Sequence, residues 1–415
     1  MGVQNRAQLF LLNMTLAPPT PSTRRRMLAM AGGGLAAAAL SGLPGCALFP
    51  VAAPVAPITP FRRPYSALPL ARPIIHASEI VRVAVGLRPY RRSGFVVRGE
   101  MFGDKRIIHN YGHGGGGLTL SWGSSTLAVA ECADITNITD RRATVLGCGV
   151  MGLTTARLLQ ANGWRVQIVA RELPPHTTSD VAGGMWAPTG VFERDTAGLT
   201  PAFEAQFKQA LHISQQIFSA LIGRGYGVSL RENYHLSQTP LSADDIFYLR
   251  DFPQLFPNIS AFQPGGHPFP SAYALHHLSM LIEPSIFLPR LMDDIRQAGG
   301  TITQHELRDQ AEILALDTPV IFNCTGLGAK ALFGDDELTP IRGQVVVMPA
   351  DARIDYLTHG GTKGRQGGLL YMFPRADGIL LGGSYERGAS HFAPDDDTTE
   401  RIVGQHAALF GGMKI

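Results

Sequence analysis

The stretch RRATVLGCGVMGLTTARLLQANGWRVQIVARE, Arg141–Glu172, decides the reading of the fold. Ala143–Leu146 is a short apolar run of strand type. Gly147, Gly149 and Gly152 form a GxGxxG turn. Val150 to Leu159 continues with helical spacing and is closed by Asn162-Gly163, and Val166–Ala170 reads as a second strand. Gly147 permits the tight turn, Gly149 lets a pyrophosphate approach the backbone, and Gly152 allows close packing of helix on strand. Val150 and Met151 open the helix, whose N-terminus faces the negative charge. A lone GxGxxG is a weak signal, but here strand, turn, helix and second strand all follow in order. The fold class this implies is α/β with a Rossmann-like dinucleotide domain. Glu172 stands about 20 residues past the glycines, where the fingerprint wants an acid for the ribose hydroxyls. The competing reading is a solvated turn. Arg171 before it would suit a phosphorylated ribose instead.

Composition narrows the function. At 415 residues the chain is long enough for two domains. Lys and Arg total 36 against 33 Asp and Glu, a net charge of +3, which with no basic stripe argues against nucleic acid. The cysteines Cys46, Cys132, Cys148 and Cys324 form no CxxC pair and no zinc-type spacing, so neither a metal site nor a disulfide framework is expected.

The N-terminus reads as an export signal. Thr23-Arg24-Arg25-Arg26-Met27-Leu28 resembles a twin-arginine motif. The Ala/Gly/Leu run after it is too short and glycine-rich for a membrane span. It ends in Leu43-Pro44-Gly45-Cys46, which resembles a bacterial lipobox, although Pro44 is not the usual residue there. The expected product is exported, periplasmic or membrane-anchored, with a possible lipid anchor at Cys46. Proline recurs through residues 47–72, as in an extended tether.

A second motif, IIHNYGHGGGGLTLSWG, runs from Ile107 to Gly123, upstream of the glycine turn. Together the two motifs resemble the D-amino-acid oxidase family of flavoenzymes. In that family the GxGxxG lies near the N-terminus and HNYGHGG near the C-terminus, so the reversed order here suggests a circular permutation. Other segments match the family once each and in cyclic order: HTTSDVAGGMWAP (His176–Pro188), TPVIFNCTGLGA (Thr318–Ala329), IRGQVVVM (Ile341–Met348), LLYMFPRADGILLGGSYERG (Leu369–Gly388) and VRVAVGLRPYRRSGFVV (Val81–Val97). The expected layout is an export signal at 1–46, a tether at 47–80, substrate-domain strands at 81–105, an FAD-binding domain at 106–195 and 286–340, and a mixed-sheet substrate domain at 196–285 and 341–415.

The resemblance implies FAD as cofactor. Carried over residue by residue, its contacts are Gly114, Gly115, Gly117, Leu118 and Thr119 from the HNYGHGG segment, and Thr177, Thr178, Ser179, Gly183, Gly184 and Met185 behind the Rossmann unit. Thr325 comes from NCTG. The family's carboxylate-binding arginine maps to Arg88, its roofing tyrosine to Tyr371, and the carbonyl that receives the substrate amine to Gly115. A second family tyrosine maps near Gly367 and is missing. His109 and His113 are implied to be structural rather than general bases. The implied reaction is oxidation of a D-amino acid to the 2-oxo acid and ammonia by hydride transfer to flavin, with reoxidation by O2, giving H2O2, or by a quinone. The alternatives are a glycine or sarcosine oxidase-like enzyme, a D-amino-acid dehydrogenase, or a non-catalytic lipoprotein that keeps the flavin fold.

Overall fold

The computed structural model of the chain describes residues 70–132, 140–193, 199–360 and 369–414. The export signal with Cys46, the tether up to residue 69, the link through Asn137 and the position of Gly367 lie outside the described residues. The strands in chain order are β1 (Arg82–Tyr90), β2 (Val96–Phe102), β3 (Lys105–Tyr111), β4 (Arg142–Leu146), β5 (Arg165–Ala170), β6 (Val228–Ser237), β7 (Ser260–Phe262) and β8 (Tyr273–Ile282). They continue as β9 (Thr301–Gln304), β10 (Val320–Asn323), β11 (Thr339–Met348), β12 (Tyr356–Gly360), β13 (Tyr371–Arg375), β14 (Gly378–Gly382) and β15 (Glu386–Arg387).

Two sheets result. One has the order β2-β3-β10-β4-β5-β9, with β3, β10, β4, β5 and β9 all parallel. Its inner strands carry apolar cores such as Ile107-Ile108, Val145-Leu146, Ile168-Val169 and Val320–Phe322 because both faces are covered, and β10 is fully buried. The other sheet runs β1-β11-β14-β13-β12-β6-β8-β7, with β15 added on β11. Most of its pairs are antiparallel, so its residues alternate between two cores. Met372, Leu381, Val346 and Tyr356 face one core, and Tyr371, Phe373, Val345 and Leu357 face the other.

The glycine turn connects β4 to the helix Val150–Ala161. Gly147 has φ of 102°, and a Cβ there would come within 2.5 Å of the Cys324 carbonyl oxygen. Glycine is therefore required both by conformation and by the close approach of β10. The helix Gly117–Ala130 follows β3 and is buried almost all round, which its apolar and small residues permit. Its Ser125 hydroxyl meets Thr154 at 2.9 Å on the dinucleotide helix, and Gly123 N–H donates to Ser214 Oγ at 2.8 Å on the helix Pro201–Leu221.

One boundary differs from the expected layout. β2 lies within the span assigned to substrate-domain strands, yet it pairs with β3 over its whole length, from Val96↔Tyr111 to Phe102↔Lys105. It is an edge strand of the dinucleotide sheet. The two-residue turn Gly103-Asp104 folds it back as a hairpin.

The described ends of the chain meet. The helix Asp396–Gly411 packs Ile402, Val403, Leu409 and Phe410 into the same core as Leu70, with Ile80 and Val83 against it. The Tyr356 hydroxyl donates to the Ala71 carbonyl at 2.9 Å and lies 3.7 Å from the Met413 sulfur.

Candidate active site

A cavity of about 1570 Å³ lies between the carboxyl ends of the parallel strands and the inner face of the mixed sheet. That is the usual place for a ligand in an open α/β fold. At its dinucleotide end Gly147, Gly149, Val150 and Met151 line the wall. Val150 N–H donates to Ser179 Oγ at 3.0 Å, so Ser179 sits at the helix N-terminus where a phosphate is favoured. Gly152 does not line the cavity. It packs under the Gly147 carbonyl, which leaves no room for a Cβ, so its role is helix-on-turn packing rather than cofactor contact.

Arg171 and Glu172 follow β5 into the cavity, joined by Glu306 after β9. Arg171 pairs with Glu306 at 3.6 Å and with Glu172 at 3.9 Å. Both pairs are exposed and contribute little to stability. Thr325 lines the cavity beyond β10. Its hydroxyl donates to Asn323 Oδ1 at 2.7 Å.

Thr177 and Thr178 also line the wall. The Thr177 hydroxyl donates to Asp180 at 2.7 Å, as does its N–H at 2.9 Å. Burial holds the Asp180 carboxyl above the usual carboxylate range. Thr178 reaches the Leu87 carbonyl at 3.4 Å, tying this loop to β1. Gly183, Gly184 and Met185 continue the same wall, and Gly183 lies against the Phe373 ring. Opposite them stand Gly114, Gly115, Gly117, Leu118 and Thr119. Gly115 N–H donates to the Gly190 carbonyl at 2.9 Å, and Thr119 Oγ1 donates to the Ala187 carbonyl at 2.9 Å. The glycine loop is thereby fixed at the cavity edge.

His113 lines the cavity but is fully enclosed, stacked on Phe95 at 4.7 Å, and burial pushes its pKa down to about 3. His109 does not line it. His109 bridges Asn323 at 3.0 Å and Glu100 at 2.9 Å, and burial lowers its pKa. His109 is held by both hydrogen-bond partners and His113 by ring stacking, and burial disfavours the charged form of each.

Arg88 and Tyr371 come together at the other end. Arg88 stands on β1 opposite Ile341 of β11, and its guanidinium lies over Gly343 two residues further on. Burial raises the Tyr371 phenol, and the neighbouring Arg88 charge only partly offsets this. The Tyr371 ring covers Gly382 across the β13–β14 pair, leaving no space for a side chain there. Arg88 Nη1 is buried and has no hydrogen-bond partner among the described residues.

Three features were missed in sequence. Gly343 lies in the matched segment IRGQVVVM with no role of its own there. Asp180, which shapes the threonine turn, was passed over. His359 lies opposite Tyr371 on β12, lines the cavity, and stacks on His235 at 5.1 Å. His235 in turn stacks on His277 at 5.3 Å.

A glycine-turned dinucleotide domain joined to a mixed sheet, with one cavity running along both, defines a dinucleotide-binding protein with room for a second ligand beside the cofactor. A family profile described as "FAD dependent oxidoreductase" (DAO) matches residues 142–414. The chain belongs to that family, is an FAD-dependent oxidoreductase, and takes FAD as its cofactor. It is 33% identical over 272 residues to a D-amino-acid oxidase of Streptomyces coelicolor, covering 65% of this chain and 78% of the relative. A human D-aspartate oxidase is 28% identical over 276 residues, covering 65% and 75%. Among solved structures, a glycine oxidase from Bacillus cereus aligns with 65% of this chain and 78% of its own, at 16% identity and a TM-score of 0.49. The residues present fit FAD: close-approach glycines and a helix N-terminus for the pyrophosphate, and the Gly114–Thr119 and Gly183–Met185 walls beyond them.

Proposed function

We propose that the protein oxidises a D-amino acid to its 2-oxo acid and ammonia. The single observation that carries this reading is the orphaned Arg88 Nη1. A buried donor left unpaired is costly, and the planar donors of a guanidinium match a carboxylate. Arg88 holds the substrate carboxylate, and the Tyr371 hydroxyl donates a second hydrogen bond to it. The Gly115 carbonyl accepts from the substrate amine and orients it as the free base. His109 and His113 stay neutral and move no proton. FAD supplies the two-electron oxidation when bound. Overall, amino acid, O2 and water give 2-oxo acid, ammonia and H2O2. A quinone taking the place of O2 would itself be reduced.

The motif order fits a circular permutation. Three observations support it. The family profile begins only at residue 142, whereas Arg88 and the Gly114–Thr119 loop come from upstream. Gly115 and Gly149 line one cavity. Ala71 and Met413 meet at the Tyr356 hydroxyl. The twin-arginine and lipobox-like segments support action outside the cytoplasm, with Cys46 as the anchor point.

The test is a screen of D-amino acids, L-amino acids and glycine on the FAD-loaded protein with peroxide and ammonia detection. Turnover of D-amino acids above their L forms is expected. Turnover of L forms or glycine alone, or of none, overturns the substrate assignment.

A further inference from the structure

Large apolar side chains exposed at a surface are uninformative singly and informative when they gather at one place. Leu369, Tyr385 and Phe392 are 44%, 48% and 61% exposed, and all three line the cavity that holds Arg88 and Tyr371. Tyr385 and Phe392 also share a mount. Arg342 on β11 is completely buried. Its Nη1 pairs with Glu386 at 2.6 Å, and its Nη2 donates to the Ala393 carbonyl at 2.5 Å. Glu386 directly follows Tyr385, and Ala393 directly follows Phe392. One buried cation thus holds the Glu386 carboxylate beside one ring and the Ala393 backbone beside the other, and the backbone of Glu386 pairs with that of Arg342 across β15 and β11.

The pinning continues on the other side of Tyr385. Ser384 Oγ accepts from Gln344 N–H at 3.0 Å and donates to Glu386 at 2.7 Å. Gln344 Nε2 donates to the Asp395 carbonyl at 2.7 Å, closing the segment that carries Phe392. The same strand β11 carries Ile341 opposite Arg88 and Gly343 beneath its guanidinium. The segments that carry the two rings are therefore held in register with the carboxylate clamp, while the rings themselves stay about half exposed. Apolar area facing a ligand cavity is complementary to apolar ligand surface.

We propose that Tyr385 and Phe392 are specificity-determining residues that receive the far end of the substrate side chain. The preferred substrates are amino acids with long apolar or aromatic side chains rather than alanine-sized ones. The inference rests on Arg88 as the carboxylate clamp.

The test compares wild type with Tyr385→Ala and Phe392→Ala, all FAD-loaded. Two quantities are measured: kcat/KM for D-phenylalanine over D-alanine, and Kd for 3-phenylpropionate over propionate, read from the shift of the flavin absorption band. Wild type should favour the aromatic member of each pair, and each variant should lower that preference about 10-fold or more. Propionate binding that depends on Arg88, with no gain from the phenyl group or no loss in the variants, overturns the rim alone. Should no carboxylate bind at all, the clamp fails and the rim with it. The carboxylate series reads binding without turnover, so it decides the point even where neither amino acid is oxidised.

Discussion

The Arg88 guanidinium occupies the space that a side chain on residue 343 would fill. β1 and β11 are antiparallel, with Gly86 opposite Gly343 and Arg88 opposite Ile341, so Arg88 leans diagonally over the glycine on the same face. Gly343→Val should therefore push the guanidinium out of line. The expected result is a KM for the amino acid raised about 10-fold or more with FAD still bound, since a misplacement of about 1 Å costs on the order of 100-fold. Steady-state kinetics on protein of verified flavin content check this. An unchanged KM would separate Gly343 from the clamp.

Removing the clamp itself has a larger effect. Arg88→Ala should cost about 2–5 kcal/mol of transition-state binding, as expected for truncating one partner of a buried charge pair. That corresponds to roughly 30- to several-thousand-fold in kcat/KM. The best substrate of the wild type is the one to measure. A loss below about threefold removes Arg88 from the pocket.

At the cofactor end, Gly147→Ala should strip FAD. The residue has φ of 102°, and a methyl group would press on the Cys324 carbonyl. The strained backbone costs about 1–3 kcal/mol, and the turn that admits the pyrophosphate is displaced. Purified variant protein should carry little yellow flavin and melt earlier. Full flavin occupancy would show that the turn tolerates the methyl group.

Acid should destabilise the fold through its buried histidines. His113, His277 and His359 are pushed down to about 3, 4 and 3, in each case chiefly by burial, from an ordinary value of 6.5. Above about pH 6.5 neither folded nor unfolded chain binds protons at these sites. Below it the unfolded chain binds them and the folded chain does not, so their stabilisation is present above 6.5 and is lost as pH falls toward 4. Each contributes about 1.4 kcal/mol per pH unit across that window. Denaturant unfolding at pH 7, 6 and 5.5 measures the slope, and His277→Gln should reduce it by about one histidine's share. A flat profile would mean these imidazoles are solvated.

How much of this was legible in the sequence depends on the kind of constraint. The glycine turn, its helix and β5 read directly because strand, turn and helix periodicities are local. Arg88 and Tyr371 could be named because they sit in motif segments. Gly343 could not, since its meaning depends on the register of β1 against β11, across more than 250 residues of chain. The same holds for His359, whose neighbours His235 and His277 come from β6 and β8. Gly152 read directly as the packing glycine of the turn; what the sequence left open is that it packs on the Gly147 carbonyl and stays out of the cavity. The β2 assignment erred although a local signal was available. The pair Gly103-Asp104 between two strand-like runs marks a two-residue hairpin and ties β2 to β3.

The most direct measurement is flavin reduction without oxygen. FAD-loaded protein is mixed anaerobically with a D-amino acid and with its L form, and the bleaching of the flavin band is followed. Oxidative deamination at the Arg88–Tyr371 site requires full bleaching by the D form, little by the L form, and a loss of bleaching rate in Arg88→Ala of the size given above. This readout does not depend on whether O2 or a quinone is the acceptor. No bleaching by any D-amino acid, or equal bleaching in Arg88→Ala, would contradict it.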